Sequence, residues 1–245
     1  MVEPLNAAEL HGHRGARGLL PENTLASFRE ALRHKSDCIE TDLGMTRDGR
    51  IVLHHDRSLN VEIARRDGKW IDAPLPLSAI SSEELRAFDV GRIRPSTGYA
   101  AKYARQAPRD GARIPLLEDL LKMPELAANP HVCLNLEIKT SPLAPGETHP
   151  PEKIVPALVA ELDRHNFRSR VRVQSFDWRN LVLLRRAAPD IRLSFLTVER
   201  SWLDNVGRDE ASPSPWLAGG DIAVHGGSLP KLIKDMGGSY WAPYY

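Results

Sequence analysis

The segment IETDLGM at residues 39–45 decides the fold that we predict for this chain. Glu40 and Asp42 lie two positions apart on a predicted strand and therefore share a face with Cys38. The odd-numbered residues 39 to 43 form the other face, which is apolar enough to pack against helices. The acidic face then points into a barrel interior, where two carboxylates repel unless a cation neutralises them. A solvated edge strand is the alternative, and the clean apolar face disfavours it.

A second strand, residues 132–138, repeats this arrangement near its end. Asn135, Glu137 and Lys139 alternate with apolar residues and share one face. Burying a charge is expensive, so an inward Glu137 requires a partner. A Glu137–Lys139 ion pair is one explanation. The other is an all-oxygen metal site made with Glu40 and Asp42, which favours Mg²⁺ or Ca²⁺ over zinc.

Histidines stand at the ends of two predicted strands, at His13 and His55. A histidine pair beside a metal-bound phosphate can act as general acid and general base near neutral pH. We therefore predict His13 and His55 as catalytic residues, without assigning the two roles. His11 and His54 are predicted to be structural.

Two cations accompany these groups, Arg14 and Lys139, and we predict that both bind phosphate oxygens. The glycines at 12, 15 and 18 do not match a dinucleotide-binding fingerprint, and no Walker lysine follows. Gly15 instead gives the turn after the first strand its conformational freedom.

Strand and helix patterns alternate along the chain, which predicts a (β/α)8 barrel of the TIM type. Asp48-Gly49 between two apolar runs predicts a hairpin. Residues 57–113 interrupt the alternation, and we interpret them as an insertion over the barrel mouth with one clear short helix. The whole chain, 1–245, is predicted to be a single domain. The predicted strands are 39–45, 51–55, 132–138, 171–176, 191–198 and 240–245, together with a first strand ending near His13.

The composition is that of an ordinary globular domain, with 42% hydrophobic and 27% charged residues and a net charge of +1. This charge balance does not indicate a nucleic-acid partner. Neither a signal peptide nor an apolar run of about 20 residues is visible, which predicts a cytoplasmic location without a membrane span. Cys38 and Cys133 are expected to be buried free thiols, because a domain of this size does not need a single disulfide.

The ordered set of motifs resembles the glycerophosphodiester phosphodiesterase family over roughly residues 10 to 245. The residues that carry the resemblance are His13-Arg14-Gly15, Pro21-Glu22-Asn23-Thr24, Phe28, Glu40-x-Asp42, Thr46-x-Asp48-Gly49, His55-Asp56, Ile114-Pro115-Leu116-Leu117-Glu118, Glu137-x-Lys139 and Ser175-Phe176.

The resemblance implies one divalent cation, Mg²⁺ or Ca²⁺, held by Glu40, Asp42 and Glu137 at the carboxyl ends of the strands. It also implies hydrolysis of a small glycerophosphodiester to sn-glycerol 3-phosphate and an alcohol through a cyclic phosphate. His13 and His55 are implied as the acid–base pair. The leaving alcohol, the metal and the oligomeric state stay open at this point.

The chain departs from the family pattern at its end. The family continues beyond the strand at 240–245 with two more βα units, so the sequence predicts six barrel strands and a C-terminally truncated barrel. Aromatic residues expected at the mouth, among them Tyr99 and Tyr103, offer cation–π contacts to a quaternary ammonium group.

Three alternatives remain at the level of sequence. His11-Gly12-His13 also fits the His-x-His motif of metal-dependent amidohydrolases, but the middle strands lack the further histidines which that class requires. Lysophospholipase D-type activity on lipid substrates is a second alternative within the same family. The third is a truncated remnant that binds phosphodiesters without turnover.

Overall fold

The computed structural model describes residues 8–208 and 212–244 and consists of alternating strands and helices. The predicted strands form, with ends shifted by one or two residues; Tyr245 lies outside the described residues. The strands are β1 His11–His13, β2 Cys38–Met45, β3 Ile51–Leu53, β4 Ser58–Leu59, β5 Arg65–Arg66, β6 Lys69–Trp70, β7 Leu75–Pro76, β8 Phe88–Asp89, β9 Cys133–Ile138, β10 Val171–Ser175, β11 Arg192–Thr197, β12 Glu199–Arg200, β13 Leu203–Asp204 and β14 Tyr240–Pro243.

The α-helices cover the outside of the sheet and part of the insertion. Short 3-10 helices lie at Leu77–Ala79, Arg168–Arg170, Pro215–Leu217 and Ala223–His225. Within the described ranges, no helix has both the length and the hydropathy that crossing a lipid bilayer requires. The α-helices are α1 Leu25–Arg33, α2 Ser82–Leu85, α3 Gly98–Lys102, α4 Leu117–Leu121, α5 Pro124–Ala127, α6 Pro151–Arg164, α7 Trp178–Ala187 and α8 Leu229–Asp235.

The central sheet has the predicted barrel-type topology. Its parallel strands follow the order β1-β2-β9-β10-β11-β14, and β3 pairs antiparallel with β2 as the predicted hairpin. This gives six parallel strands, and no pairing joins β1 to β14 within residues 8–208 and 212–244. The sheet is therefore an open, curled portion of a (β/α) barrel.

The two faces of the sheet differ because side chains alternate along each strand. Outward residues of the central strands are apolar and form one core with the surrounding helices. Trp178 of α7 is completely buried there and contacts Phe195 of β11 edge to face, with ring centroids 4.9 Å apart. This packing holds the strands in the register that positions their inward side chains.

The inward face is polar, as predicted for the acidic strand. In the parallel register, Asp42 lies opposite Glu137, and Glu40 lies opposite both His13 and Asn135. Three neighbouring strands therefore bring their functional groups to one region of the interior.

The insertion, residues 57–113, is more structured than the single short helix that we predicted. It contains α2, α3, one of the 3-10 helices and two small antiparallel sheets, β4–β7 and β6–β5–β8. A second apolar core, separate from the one under the barrel helices, joins residues of the insertion to Val52 of β3 and to Ile114. These buried residues are Val52, Leu59, Ala64, Leu77, Ile80, Leu85, Phe88, Val90 and Ile114.

The end of the insertion packs against the segment between β1 and α1. The Gln106 side-chain amide donates to the carbonyl oxygen of Arg17 at 2.7 Å, and the Ala107 amide donates to that of Leu19 at 2.8 Å. Because this segment follows the carboxyl end of β1, the insertion borders the end of the barrel at which (β/α)8 enzymes place their active sites.

The prediction of free thiols is wrong, because Cys38 and Cys133 form a disulfide. They are register partners on the adjacent strands β2 and β9, with Cα atoms 4.4 Å apart. Strand register depends on tertiary pairing, so a separation of 95 positions hid this proximity in the sequence. Disulfides persist mainly in oxidising compartments, so the redox state of this pair in the cell directly tests the expected cytoplasmic location.

Removing the disulfide should destabilise the fold without removing any functional group. We expect Cys38→Ala/Cys133→Ala to lower the free energy of unfolding by about 2–4 kcal/mol, because the cross-link closes a long loop in the unfolded chain. Urea denaturation followed by circular dichroism measures this change. A reductant should shift the wild-type curve in the same direction and leave the double variant unchanged. Equal stability of the double variant and the disulfide-bonded wild type would contradict the prediction.

Candidate active site

Three carboxylates from two adjacent strands meet inside the sheet. Glu40 and Asp42 of β2 and Glu137 of β9 each offer an oxygen within 4.8 Å of the others, and all three residues are buried. The structure thus brings together the three residues that the sequence predicted as metal ligands.

Lys139 partly neutralises this cluster. Its Nζ atom lies 2.5 Å from Glu137 Oε1 and 3.1 Å from Asp42 Oδ1. Burial opposes the charge on Lys139, but the adjacent carboxylates raise its pKa above the ordinary lysine value. Conversely, burial opposes ionisation of Asp42, and the charges of Lys139, His55 and Arg14 hold its pKa well below the usual range. Asp42 and Lys139 therefore stand as a charged pair.

Glu40 behaves differently from Asp42. Burial, followed by repulsion from Asp42 and Glu137, raises the pKa of Glu40 well above its usual range. The carboxylate accepts hydrogen bonds from the Arg14 backbone amide at 2.8 Å and from Gln174 Nε2 at 3.2 Å. Burial and the two neighbouring carboxylates therefore outweigh, at Glu40, the hydrogen bond from Arg14 and the charge of Lys139.

The donor set fits a hard divalent cation. Carboxylate oxygens are the ligands that Mg²⁺ and Ca²⁺ prefer, and the buried Asp42 Oδ1 has Lys139 Nζ at 3.1 Å as an ion-pair contact but accepts no well-aligned hydrogen bond. A cation here would supply the positive charge that Glu40 lacks. We therefore identify Glu40, Asp42 and Glu137 as a group that could hold a metal.

Arg14 joins the end of β1 to this cluster. Its φ angle of 55° is in the left-handed region, and Gly15 follows at 76°, where a Cβ atom would come within 2.5 Å of Ser27 Oγ. This turn directs the Arg14 amide to Glu40. Its buried guanidinium lies 2.9 Å from Glu22 Oε1 and 3.4 Å from Asp42 Oδ2.

Two further residues of the site, Glu22 and Asn23, were named from the sequence only within the Pro21–Thr24 motif of the family resemblance. Asn23 Nδ2 donates to Asp42 Oδ2 at 2.9 Å, and Asn23 Oδ1 accepts from Thr41 Oγ1 at 2.8 Å. Glu22 bonds to Arg14 and also accepts from the hydroxyl of Tyr99 in the insertion. The Pro21–Thr24 motif therefore does more than cap α1, although Thr24 does accept from Ser27 N as the cap.

His13 is half exposed at the carboxyl end of β1. Its Nε2 atom lies 3.8 Å from Glu40 Oε2, and its Nδ1 atom lies 3.1 Å from Arg17 Nη2. Desolvation, followed by the positive charges of Arg17 and Arg14, lowers the pKa of His13 to about 4. His13 is therefore neutral near pH 7 and can carry its proton on only one ring nitrogen.

His55 follows β3, which ends two residues earlier than we predicted. The hairpin places this segment beside β2, where the His54 backbone amide donates to the Asp42 carbonyl oxygen at 3.0 Å. His55 Nδ1 lies 2.7 Å from Asp56 Oδ1, and Asn60 Nδ2 donates to Asp56 Oδ2 at 2.8 Å. His55 is thus oriented by a carboxylate that is itself held in place.

The side chains of His54 and His11 make their contacts outside the carboxylate cluster. His54 is buried, and its Nε2 atom lies 3.1 Å from the Ser58 carbonyl oxygen. His11 Nε2 lies 3.1 Å from Glu9 Oε2. These contacts agree with the structural roles that we predicted.

A second group of acidic residues lies on the helices outside the sheet. Glu118, Glu161 and His165 also bring ligand atoms within 4.8 Å of one another. Glu118 and His165 are only partly buried, and Glu118 is already paired with Arg50 and Lys122. This external group serves as a comparison for the internal cluster.

A barrel sheet with carboxylates and histidines at the carboxyl ends of its strands is typical of barrel enzymes. The model of the glycerophosphoryl diester phosphodiesterase family matches residues 13–235. The chain belongs to this family.

Known relatives agree with the family assignment. A glycerophosphodiester phosphodiesterase of Caldanaerobacter subterraneus subsp. tengcongensis is 30% identical over 185 residues, which cover 75% of this chain and 64% of that protein. A Silicibacter pomeroyi protein assigned as a glycerophosphoryl diester phosphodiesterase is 31% identical, with a TM-score of 0.83 over 97% of this chain and 75% of that one. The chain spans about two thirds of the length of the curated relatives it matches.

A further structure shows the same fold at lower identity. The Oleispira antarctica phosphodiesterase, solved with its product sn-glycerol-3-phosphate, is 21% identical, with a TM-score of 0.59 over 97% of this chain and 84% of that protein.

Glu40→Gln should weaken binding of Mg²⁺ or Ca²⁺ by at least about tenfold, because it removes one anionic ligand of the internal cluster. Isothermal titration calorimetry with each ion measures the effect. Glu118→Gln is the matched control and should leave the affinity unchanged. Loss of binding in Glu118→Gln with retention in Glu40→Gln would move the metal site to the external group.

Proposed function

We propose that this protein catalyses the metal-dependent hydrolysis of glycerophosphodiesters to sn-glycerol 3-phosphate and an alcohol. The observation that supports this most strongly is the convergence of three carboxylates and two histidines at one end of the sheet in a chain of this family. The family match also favours phosphodiester cleavage over the amidohydrolase alternative. The substrate is a small molecule that carries one negative charge at phosphorus.

The reaction proceeds in two displacements at phosphorus. The 2-hydroxyl oxygen of glycerol attacks phosphorus, and the bond to the leaving alcohol breaks to give a cyclic phosphate. Water then opens the ring and leaves the phosphate on the 3-oxygen of glycerol. Each displacement needs one group to remove a proton and another to supply one.

Hydrogen bonding suggests how the histidines divide these roles. Burial opposes ionisation of Asp56, but the hydrogen bond from His55 holds the pKa of Asp56 below its usual range. Asp56 therefore accepts a hydrogen bond from the protonated Nδ1 of His55. His55 Nε2 then keeps a lone pair, as a general base requires. Arg17 donates to His13 Nδ1, so the neutral His13 ring carries its proton on Nε2, where it can hydrogen-bond to the leaving oxygen and pass to the alkoxide as the bond to phosphorus breaks.

Arg14 and Lys139 are the proposed phosphate-binding residues. Both cations border the carboxylate cluster, through Asp42 for Arg14 and through Glu137 and Asp42 for Lys139. Positive charge at this position attracts the phosphodiester and stabilises the additional charge that develops during attack.

Glu40, Asp42 and Glu137 are the proposed ligands of one Mg²⁺ or Ca²⁺ ion. When bound, such an ion polarises a phosphoryl oxygen and offsets charge on the attacking oxygen. The remaining functional groups then need only position the substrate and transfer protons.

Product release provides the first test of this function. We expect the 245-residue chain to release sn-glycerol 3-phosphate from glycerophosphocholine or glycerophosphoethanolamine when Mg²⁺ or Ca²⁺ is present. A chelator should abolish the release, and an excess of metal should restore it. A folded, metal-binding chain that shows no turnover on either substrate would instead support a non-catalytic phosphodiester-binding protein.

The histidine roles are tested separately from metal binding. His13→Ala and His55→Ala should each lower kcat about 100-fold or more, because each removes one proton-transfer group. Calorimetry should show nearly wild-type metal affinity in both variants. His11→Ala is a control that should retain activity; loss of metal binding in either catalytic variant would refute the division between ligands and acid–base groups.

A further inference from the structure

Arg17 occupies an unusual position for a charged residue. Its side chain is half buried, and within the described residues no carboxylate lies at ion-pair distance from its guanidinium. Its two principal contacts are the His13 ring at 3.1 Å and the Tyr103 ring, whose centroid lies 5.1 Å from the guanidinium carbon. A half-buried cation without an anionic partner is therefore held between an aromatic ring and a proposed catalytic histidine.

The contact with His13 has a definite chemical direction. A guanidinium group carries only donors, so His13 Nδ1 must be the acceptor. A neutral ring that accepts at Nδ1 carries its proton at Nε2, the nitrogen that faces Glu40 Oε2 at 3.8 Å. Arg17 thus selects both the tautomer and the orientation of His13.

The insertion holds Arg17 in this position. Tyr103 ends α3 and contacts Tyr99 edge to face, with centroids 4.8 Å apart. Gln106 donates to the Arg17 carbonyl oxygen at 2.7 Å and so anchors its backbone. The insertion therefore contacts both the side chain and the main chain of Arg17, and the same side chain contacts the barrel sheet at His13 of β1.

We propose that Arg17 is a positioning residue for His13 and that Tyr103 of the insertion holds Arg17 for this purpose. This inference rests on the proposed function, in which His13 transfers a proton. Arg17 acts through His13 and does not itself bind the substrate phosphate. The insertion then contributes to catalysis indirectly, because Tyr103 holds Arg17 and Arg17 orients His13.

Tyr103 offers a matched pair of variants. Its hydroxyl oxygen is buried without a hydrogen-bond partner, so Tyr103→Phe removes an unused group and keeps the ring that contacts Arg17. Tyr103→Leu keeps an apolar side chain but removes the ring, and with it the cation–π contact. Arg17→Met removes the donor directly while keeping much of the apolar stem.

Long-range ¹H–¹⁵N NMR of the histidine rings tests the positioning without any need for turnover. We expect wild-type His13, assigned by its loss in His13→Ala, to show an unprotonated Nδ1 and a protonated Nε2 at neutral pH. Arg17→Met and Tyr103→Leu should shift these signals toward an average of the two tautomers, and Tyr103→Phe should not. The other histidine signals show that each variant is folded.

Kinetics with glycerophosphocholine complete the test. Arg17→Met and Tyr103→Leu should lower kcat about tenfold, the effect of one charge-assisted hydrogen bond, with KM within about twofold of wild type. A large rise in KM at constant kcat would overturn the proposal, because Arg17 would then bind substrate. An Nδ1-protonated His13 in the wild type, or unchanged His13 signals in Arg17→Met, would also overturn it. If the wild type shows no turnover while the tautomer shifts as expected, the proposed function fails and the positioning stands.

Discussion

Three carboxylates crowded into one sheet interior are the constraint on which the rest of the structure depends. Glu40, Asp42 and Glu137 lie within 4.8 Å of one another at buried positions, where Coulomb repulsion is strong. The neighbouring cations offset only part of that repulsion. Burial, together with the remaining repulsion from Asp42 and Glu137, raises the pKa of Glu40 above its usual range. An interior of this kind is stable only if each charge has a partner, which is why the surrounding polar groups are so closely connected.

The segment between β1 and α1 supplies most of these partners. Its turn, with left-handed backbone at Arg14, directs a main-chain amide to Glu40 and a guanidinium to Asp42. Asn23, also with a positive φ angle, donates to the same Oδ2 atom of Asp42 that the Arg14 guanidinium approaches. Such backbone conformations are uncommon for residues with side chains and cluster at functional sites. The short segment thus links a helix start to the carboxylate cluster at the carboxyl end of the sheet.

The insertion extends this network outward. Its small apolar core is separate from the core under the barrel helices, and its tyrosines contact the β1–α1 segment at Glu22 and Arg17. A segment that merely covered the barrel mouth would not need these polar contacts. The insertion is therefore part of the support for His13 as well as a border of the site.

The sequence by itself determined the strand order along the chain, the barrel-type fold, and the inward acidic face of β2, because side-chain alternation and turn chemistry are local. It also identified Glu40, Asp42 and Glu137 as a group, since their strands were recognisable. Only the tertiary structure decided the disulfide, the partners of Arg14 and the contact of Arg17 with His13. Each of these depends on strand register or on the packing of the insertion, and both are set by contacts between residues distant in the chain.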